Sequence, residues 1–181
     1  MNSDRTCLAT AGWSESWWAN LIGFQVAWWS CILYGDRAIP LVLVLLAVHL
    51  LMHGRPWVEL TVVISCATLG MVVDVVLTHL GVFVFQPGFL QPPLWLFFLW
   101  LAFSATLRQG LHWFSGRYLM SAMAGSVGGS SSYLAAGYLG AVSFGMAELW
   151  VALLLGLVWM LLFPALMKLA DALGGRREVP R

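Results

Sequence analysis

The sequence predicts an all-α, polytopic membrane bundle of six transmembrane helices with both termini cytoplasmic, and three features carry that prediction. Of the 181 residues, 61% are apolar and only 9% charged, with a mean hydropathy of +0.85; soluble domains have about 45–50% and about 25%. The apolar residues fall in runs close to the roughly 20 residues a helix needs to cross hydrocarbon. The basic residues fall mostly at one set of connections, which is the asymmetry that orients membrane proteins.

Residues 1–16, "MNSDRTCLATAGWSES", are polar and lack the basic-then-apolar order of a cleavable signal. The first run, Trp17 to about Tyr34, therefore reads as a retained anchor, closed by "GDR". The second runs from Ala38 to about Met52, with Pro40 in its first turn, where the missing N–H costs nothing. "HGRPW" turns the chain into the third, Glu59 to about Leu80. "GVFVFQPGFLQPP" follows, either a short lid on the outer face or a plain connection, and Pro92-Pro93 opens the fourth run, Leu94 to about Phe114. The fifth, Tyr118 to Phe144, is interrupted by "GSVGGSSS"; the sixth, Glu148 to about Leu169, ends a single transmembrane domain over 17–169, before a basic cytoplasmic tail at 170–181. Arg5, Arg55, Arg117, Lys168, Arg176, Arg177 and Arg181 then share the side of the termini, against Arg37 on the other. By the positive-inside rule that side is the cytoplasm.

Several chemistries are disfavoured. A net charge of +1 gives no reason to expect a nucleic-acid partner. Cys7, Cys31 and Cys66 are scattered without a C-x-x-C pair and read as small buried hydrophobes. His49 and His53 stand at i, i+4, but no H-E-x-x-H is present and no third ligand follows at helical spacing, so neither metal nor cofactor is expected. No nucleophile and base are paired, which argues against an enzyme. Glu59 and Glu148 each begin a span, where a carboxylate complements the helix dipole.

Ionisable groups inside spans cost about 2.5–3.5 kcal/mol each on insertion scales and so mark candidate sites. Asp74 is the foremost, since its short side chain cannot reach an interface and its helix face repeats Ala67, Gly70, Asp74 and Thr78, small and polar groups that pack inward. Arg108 has two readings: its stem reaches the cytoplasmic headgroups, or it faces a polar cavity. Trp100, Ser104, Arg108 and His112 follow one another at i+4 on one face. Asp74 and Arg108 on neighbouring spans either pair to lock two helices, share a cavity for an anionic head group, or do not meet. The candidate polar cavity comprises Asp74, Arg108, Trp100, Ser104, His112, Gln25 and His49. Gly70, Gly125, Gly128, Gly129, Gly137 and Gly140 read as close helix packing, with Gly128-Gly129 a local break.

The run "PLWLFFLWLAFSATLRQGLHWFSGRYLMSAMAGSVGGSSSYLAAGYLGAVSF", with "GFQVAWWSCILY" and "LGMVVDVVLTHLGVFVF", resembles a bacterial inner-membrane family known as domain of unknown function 2878. The resemblance covers about residues 20 to 165 and carries Gln25, Trp29, Asp74, Gly81, Trp95, Trp100, Thr106, Trp113, Gly125, Gly128, Gly129, Tyr133 and Gly140. Arg108 and Gln109 stand where the resemblance implies small polar residues or His. It also implies a bacterial inner-membrane location near enzymes of membrane-lipid modification. The expected function is thus an accessory factor in lipid modification or envelope stress, binding membrane lipids or a lipid-modifying enzyme; the alternative is a small transporter or flippase with a polar cavity between spans three, four and five.

Overall fold

The computed structural model describes residues 17–85 and 91–175. The polar N-terminus with Arg5 and Cys7, the middle of the 81–93 segment at 86–90, read as either a lid or a plain connection, and Arg176, Arg177 and Arg181 lie outside the described residues. The fold is all-α. Helices α1 (Trp17–Tyr34), α2 (Ile39–Leu51), α3 (Pro56–His79), α4 (Leu94–Ser104), α5 (Tyr118–Tyr138) and α6 (Glu148–Gly174) are joined by short turns. Strands β1 (Phe83–Val84) and β2 (Ser143–Phe144) pair antiparallel, Phe83 opposite Phe144. Three stretches are long and apolar enough to cross a membrane by length and composition: Trp17–Leu51, Pro56–His79 and Glu148–Gly174.

The first of these stretches doubles back on itself. A 3-10 turn at Gly35–Ala38, with Gly35 at φ +58, reverses the chain between α1 and α2. Asn20 near the start of α1 consequently reaches His49 near the end of α2, 3.5 Å away. Proline begins α2 and α3, where an absent N–H leaves no bond unmade.

Contacts between helix ends sort the bundle into two rims. At one, Asn20 Nδ2 donates to the Ala105 carbonyl (3.3 Å), Arg108 Nη1 donates to Glu59 (2.8 Å) and Ser115 Oγ donates to Asp171 (2.6 Å). At the other, the Trp95 amide donates to Asp36 (3.0 Å), Tyr138 OH donates to Glu148 (2.9 Å) and β1 meets β2. The first is the Glu59 rim and the second the Asp36 rim.

The fourth and fifth runs differ from expectation. Helix α4 stops at Ser104 after 11 residues, roughly 16 Å of helix, and 105–117 is a string of tight turns. Ala105, Thr106, Leu107 and Arg108, the first residues of that string, are all buried, so the irregular backbone next to α4 is covered by protein, the condition under which such backbone is tolerated at membrane depth. Trp100, Ser104, Arg108 and His112 therefore do not share one helix face. In the fifth run the reverse holds: α5 is continuous through Gly128-Gly129, and the expected break does not form. The run then ends at Tyr138, where Gly140, at φ +80, turns the chain toward β2.

An aromatic stack forms the centre of the core. Trp100 on α4 and Trp159 on α6 lie 5.5 Å apart and nearly parallel, with Phe103 edge-on to both. Gly70 on α3 makes room for Trp100; Gly125 and Gly129 on α5 make room for Trp159 and Phe163, and Gly137 for Phe144. Gly128 and Gly140 do not serve packing, since a Cβ at either would meet nothing within 4 Å. Gly129→Val should therefore lower stability by about 1–3 kcal/mol through overpacking, while Gly128→Ala should leave it nearly unchanged. Thermal unfolding in detergent measures both, and equal losses would refute this account of α5.

Candidate functional site

Asp74 sits on the inward face of α3 with Ala67, Gly70 and Thr78, all buried as the small-residue spacing requires. The residue is 2% exposed. Trp100 Nε1 donates to Oδ2 at 2.6 Å, and Tyr133 OH lies 2.8 and 2.7 Å from the two oxygens. Neutral donors from α4 and α5 thus satisfy it, the requirement for a polar group away from water.

Trp100 and Tyr133 also form part of the wall of a cavity of about 360 Å³, within the range of about 300–1,000 Å³ of ligand pockets. Phe24, Trp28, Phe103 and Trp159 supply further lining, and Trp28 Nε1 donates to Ser132 Oγ at 2.9 Å across its edge. The cavity lies between α1, α4, α5 and α6, not between the third, fourth and fifth spans. Gly128 lines it and is at the same time exposed, so it reaches the outer surface of the bundle along α5.

A second constellation occupies the Glu59 rim. Glu59, 0% exposed in the first turn of α3, faces His49 Nε2 through Oε1 (3.2 Å) and His53 Nε2 through Oε2 (3.3 Å). Arg108 Nη1 donates to Oε2 at 2.8 Å, and its Nη2 donates to the carbonyls of Gly174 (2.7 Å) and Gly175 (3.3 Å) at the end of α6. A side chain at Gly174 would collide with the guanidinium, so this approach needs glycine. Gln109 Nε2 meets His53 Nδ1 at 3.1 Å, and Asn20 spans His49, Ala105 and the Gly110 amide.

The expected polar cavity therefore separates into two sites. Asp74 and Arg108 do not pair: the carboxyl is bonded to Trp100 and Tyr133, the guanidinium to Glu59 and two carbonyls. Nor does Arg108 snorkel, because Glu59 and the α6 end hold it inside the rim. Trp100 joins Asp74, and His49 joins Glu59. Ser104 is buried, its Oγ having no hydrogen-bond partner among the described residues. Gln25 is exposed on α1, and His112 lies in a separate 3-10 turn at the Glu59 rim. Cys31 and Cys66 are buried, free thiols. Glu59, His53 and Asn20 were not among the expected site residues. A signal was present: the tight turn "HGRP" forces the end of the second run, with its two histidines, against the start of the third.

Asp74→Leu would leave Trp100 N–H and Tyr133 O–H without their acceptor, at about 1–3 kcal/mol each. Asp74→Asn keeps an acceptor oxygen and should cost distinctly less. Thermal unfolding in detergent compares them, and equal losses would show that the hydrogen bonds do not hold the helices.

With both sites placed, comparison with known proteins defines the relationship. The model of the family described as "Protein of unknown function (DUF2878)" matches residues 17–165. No curated protein and no solved structure matches the chain. The matched span contains Asp74, Trp100 and Tyr133 with most of the cavity lining, together with His49, His53, Glu59 and Arg108. This chain belongs to the DUF2878 family of proteins of unknown function.

Proposed function

We propose that this is a six-span bacterial inner-membrane protein that holds the apolar chain of a membrane lipid in the aromatic cavity, as an accessory factor in lipid modification or envelope stress. The observation that supports it best is the cavity itself, about 360 Å³, walled by aromatic rings and reaching the outer surface beside Gly128. A lipid chain enters such a site from the bilayer without crossing water. Its partners on this reading are membrane lipids and a lipid-modifying enzyme.

Aromatic belts favour six crossings. Trp17, Trp18, Trp57 and Trp113 are exposed at the Glu59 rim, and Tyr34, Tyr138 and Trp150 at the Asp36 rim, as expected of rings settled at two interfaces. Arg55, Arg117 and Lys168 lie toward the Glu59 rim and Arg37 at the other, which favours a cytoplasmic Glu59 rim.

Protein extracted from membranes in mild detergent should carry a co-purifying lipid, seen by native mass spectrometry. Gly128→Phe, whose Cβ would meet nothing within 4 Å and whose ring fills space beside the cavity, should remove at least nine-tenths of it in protein that keeps a cooperative thermal transition. Lipid retained at the wild-type level would refute the reading. Movement of a headgroup-labelled lipid between leaflets of proteoliposomes would instead indicate a flippase.

A further inference from the structure

The cluster at the Glu59 rim has the donor set and the spacing of a metal centre, and it is separate from the lipid cavity. His49 and His53 present Nε2 from the last turn of α2 and the turn that follows; Glu59 presents its carboxylate from the first turn of α3. The three ligand atoms all lie within 4.8 Å of one another. With metal–nitrogen and metal–oxygen bonds of about 2.0–2.2 Å, two ligands of a tetrahedral ion stand about 3.3–3.5 Å apart. Here His49 Nε2 stands 3.2 Å from Oε1, close to that spacing, while His53 Nε2 is 3.3 Å from the carboxylate's other oxygen, Oε2.

We propose that His49, His53 and Glu59 form a binding site for a divalent first-row transition ion, with two nitrogens and one carboxylate as protein ligands. The surroundings have the parts such a site uses. Arg108 holds one carboxylate oxygen at 2.8 Å, leaving the other, Oε1, for the ion, as an outer partner orients a ligating carboxylate. Gln109 faces His53 Nδ1 at 3.1 Å, and by turning its amide end for end it receives the Nδ1–H that a ring ligating through Nε2 carries. Asn20 faces His49 Nδ1 at 3.5 Å, while its oxygen receives the Gly110 amide and its nitrogen donates to Ala105. Ligation by His49 therefore costs that one long contact. Without the ion each Nε2 lies beside a carboxylate oxygen, at 3.2 and 3.3 Å; on ligation each neutral ring carries its single proton on Nδ1 and leaves Nε2 free for the ion.

Three protein ligands leave a coordination position vacant for water or a small molecule, the pattern of sites that do chemistry rather than only brace a fold. A second cavity, of about 170 Å³ between α1, α2 and α4, borders the cluster at His49, with Asn20 and Gln109 also in its lining.

The test is a titration of the chelator-stripped full-length protein in detergent with Co²⁺. One equivalent should bind with the visible absorption of a four- or five-coordinate ion, and Zn²⁺ should displace it. His53→Ala should weaken binding at least tenfold; Glu59→Gln, which removes the carboxylate charge and turns one of its acceptor oxygens into an amide donor, should do the same in protein that still folds. No absorption with stoichiometric Co²⁺ in the folded wild-type protein would overturn the proposal whatever the variants do, as would undiminished binding in a folded His53→Ala protein.

Discussion

The ion pair between Glu59 and Arg108 is the constraint on which the Glu59 rim is built. A fully buried carboxylate without a countercharge is strongly unfavourable in a low-dielectric interior. The cation it receives comes from 49 residues further along the chain. Bringing it there requires α4 to stop early, at Ser104, and the following residues to fold back beneath the bundle. It also requires α6 to continue to Gly174, whose carbonyl takes the other guanidinium nitrogen and whose missing side chain lets the arginine lie against it. Four separate stretches of chain thus close on one charge pair.

The second buried carboxylate is handled in the opposite way. Asp74 has two neutral ring donors and no cation, and the same two rings form the wall of the large cavity. The aromatic stack of Trp100 and Trp159, seated on Gly70 and Gly129, is part of that wall. A rigid aromatic face held by buried hydrogen bonds suits the recognition of an apolar chain, which has shape but no polar groups to read. The two carboxylates therefore divide the work: one draws the helix ends together at a rim, the other sets the shape of the interior.

Much of this was legible in the residues. The helical run over Trp17–Leu51 with its turn at "GDR", α3, and the start of α6 follow from apolar length and from Gly, Pro and charge punctuation. The inward position of Asp74 follows from the small residues one and two turns before it. What pairs with what was not legible. The apolar composition of 94–114 fits a full crossing, and nothing local marks the stop at Ser104; the stop follows from Arg108 reaching a carboxylate on another helix. Glu59 has an adequate local explanation in the helix dipole, which conceals its role as the hub of the rim. Tyr133 sits in a Gly/Ser-rich stretch that reads as packing, and only the three-dimensional arrangement brings it to Asp74. Long-range polar pairing is the information a single sequence lacks.

The dependence of the rim on its charge pair is most directly measured by a double-mutant cycle between Glu59→Gln and Arg108→Met, read as unfolding free energy in detergent with chelator present. Each single change should cost about 3–5 kcal/mol, as expected when a buried charge loses its partner. The double change should cost less than their sum, by on the order of 1–3 kcal/mol. Strictly additive losses would contradict the account, because they would mean that the two residues stabilise the bundle independently of each other.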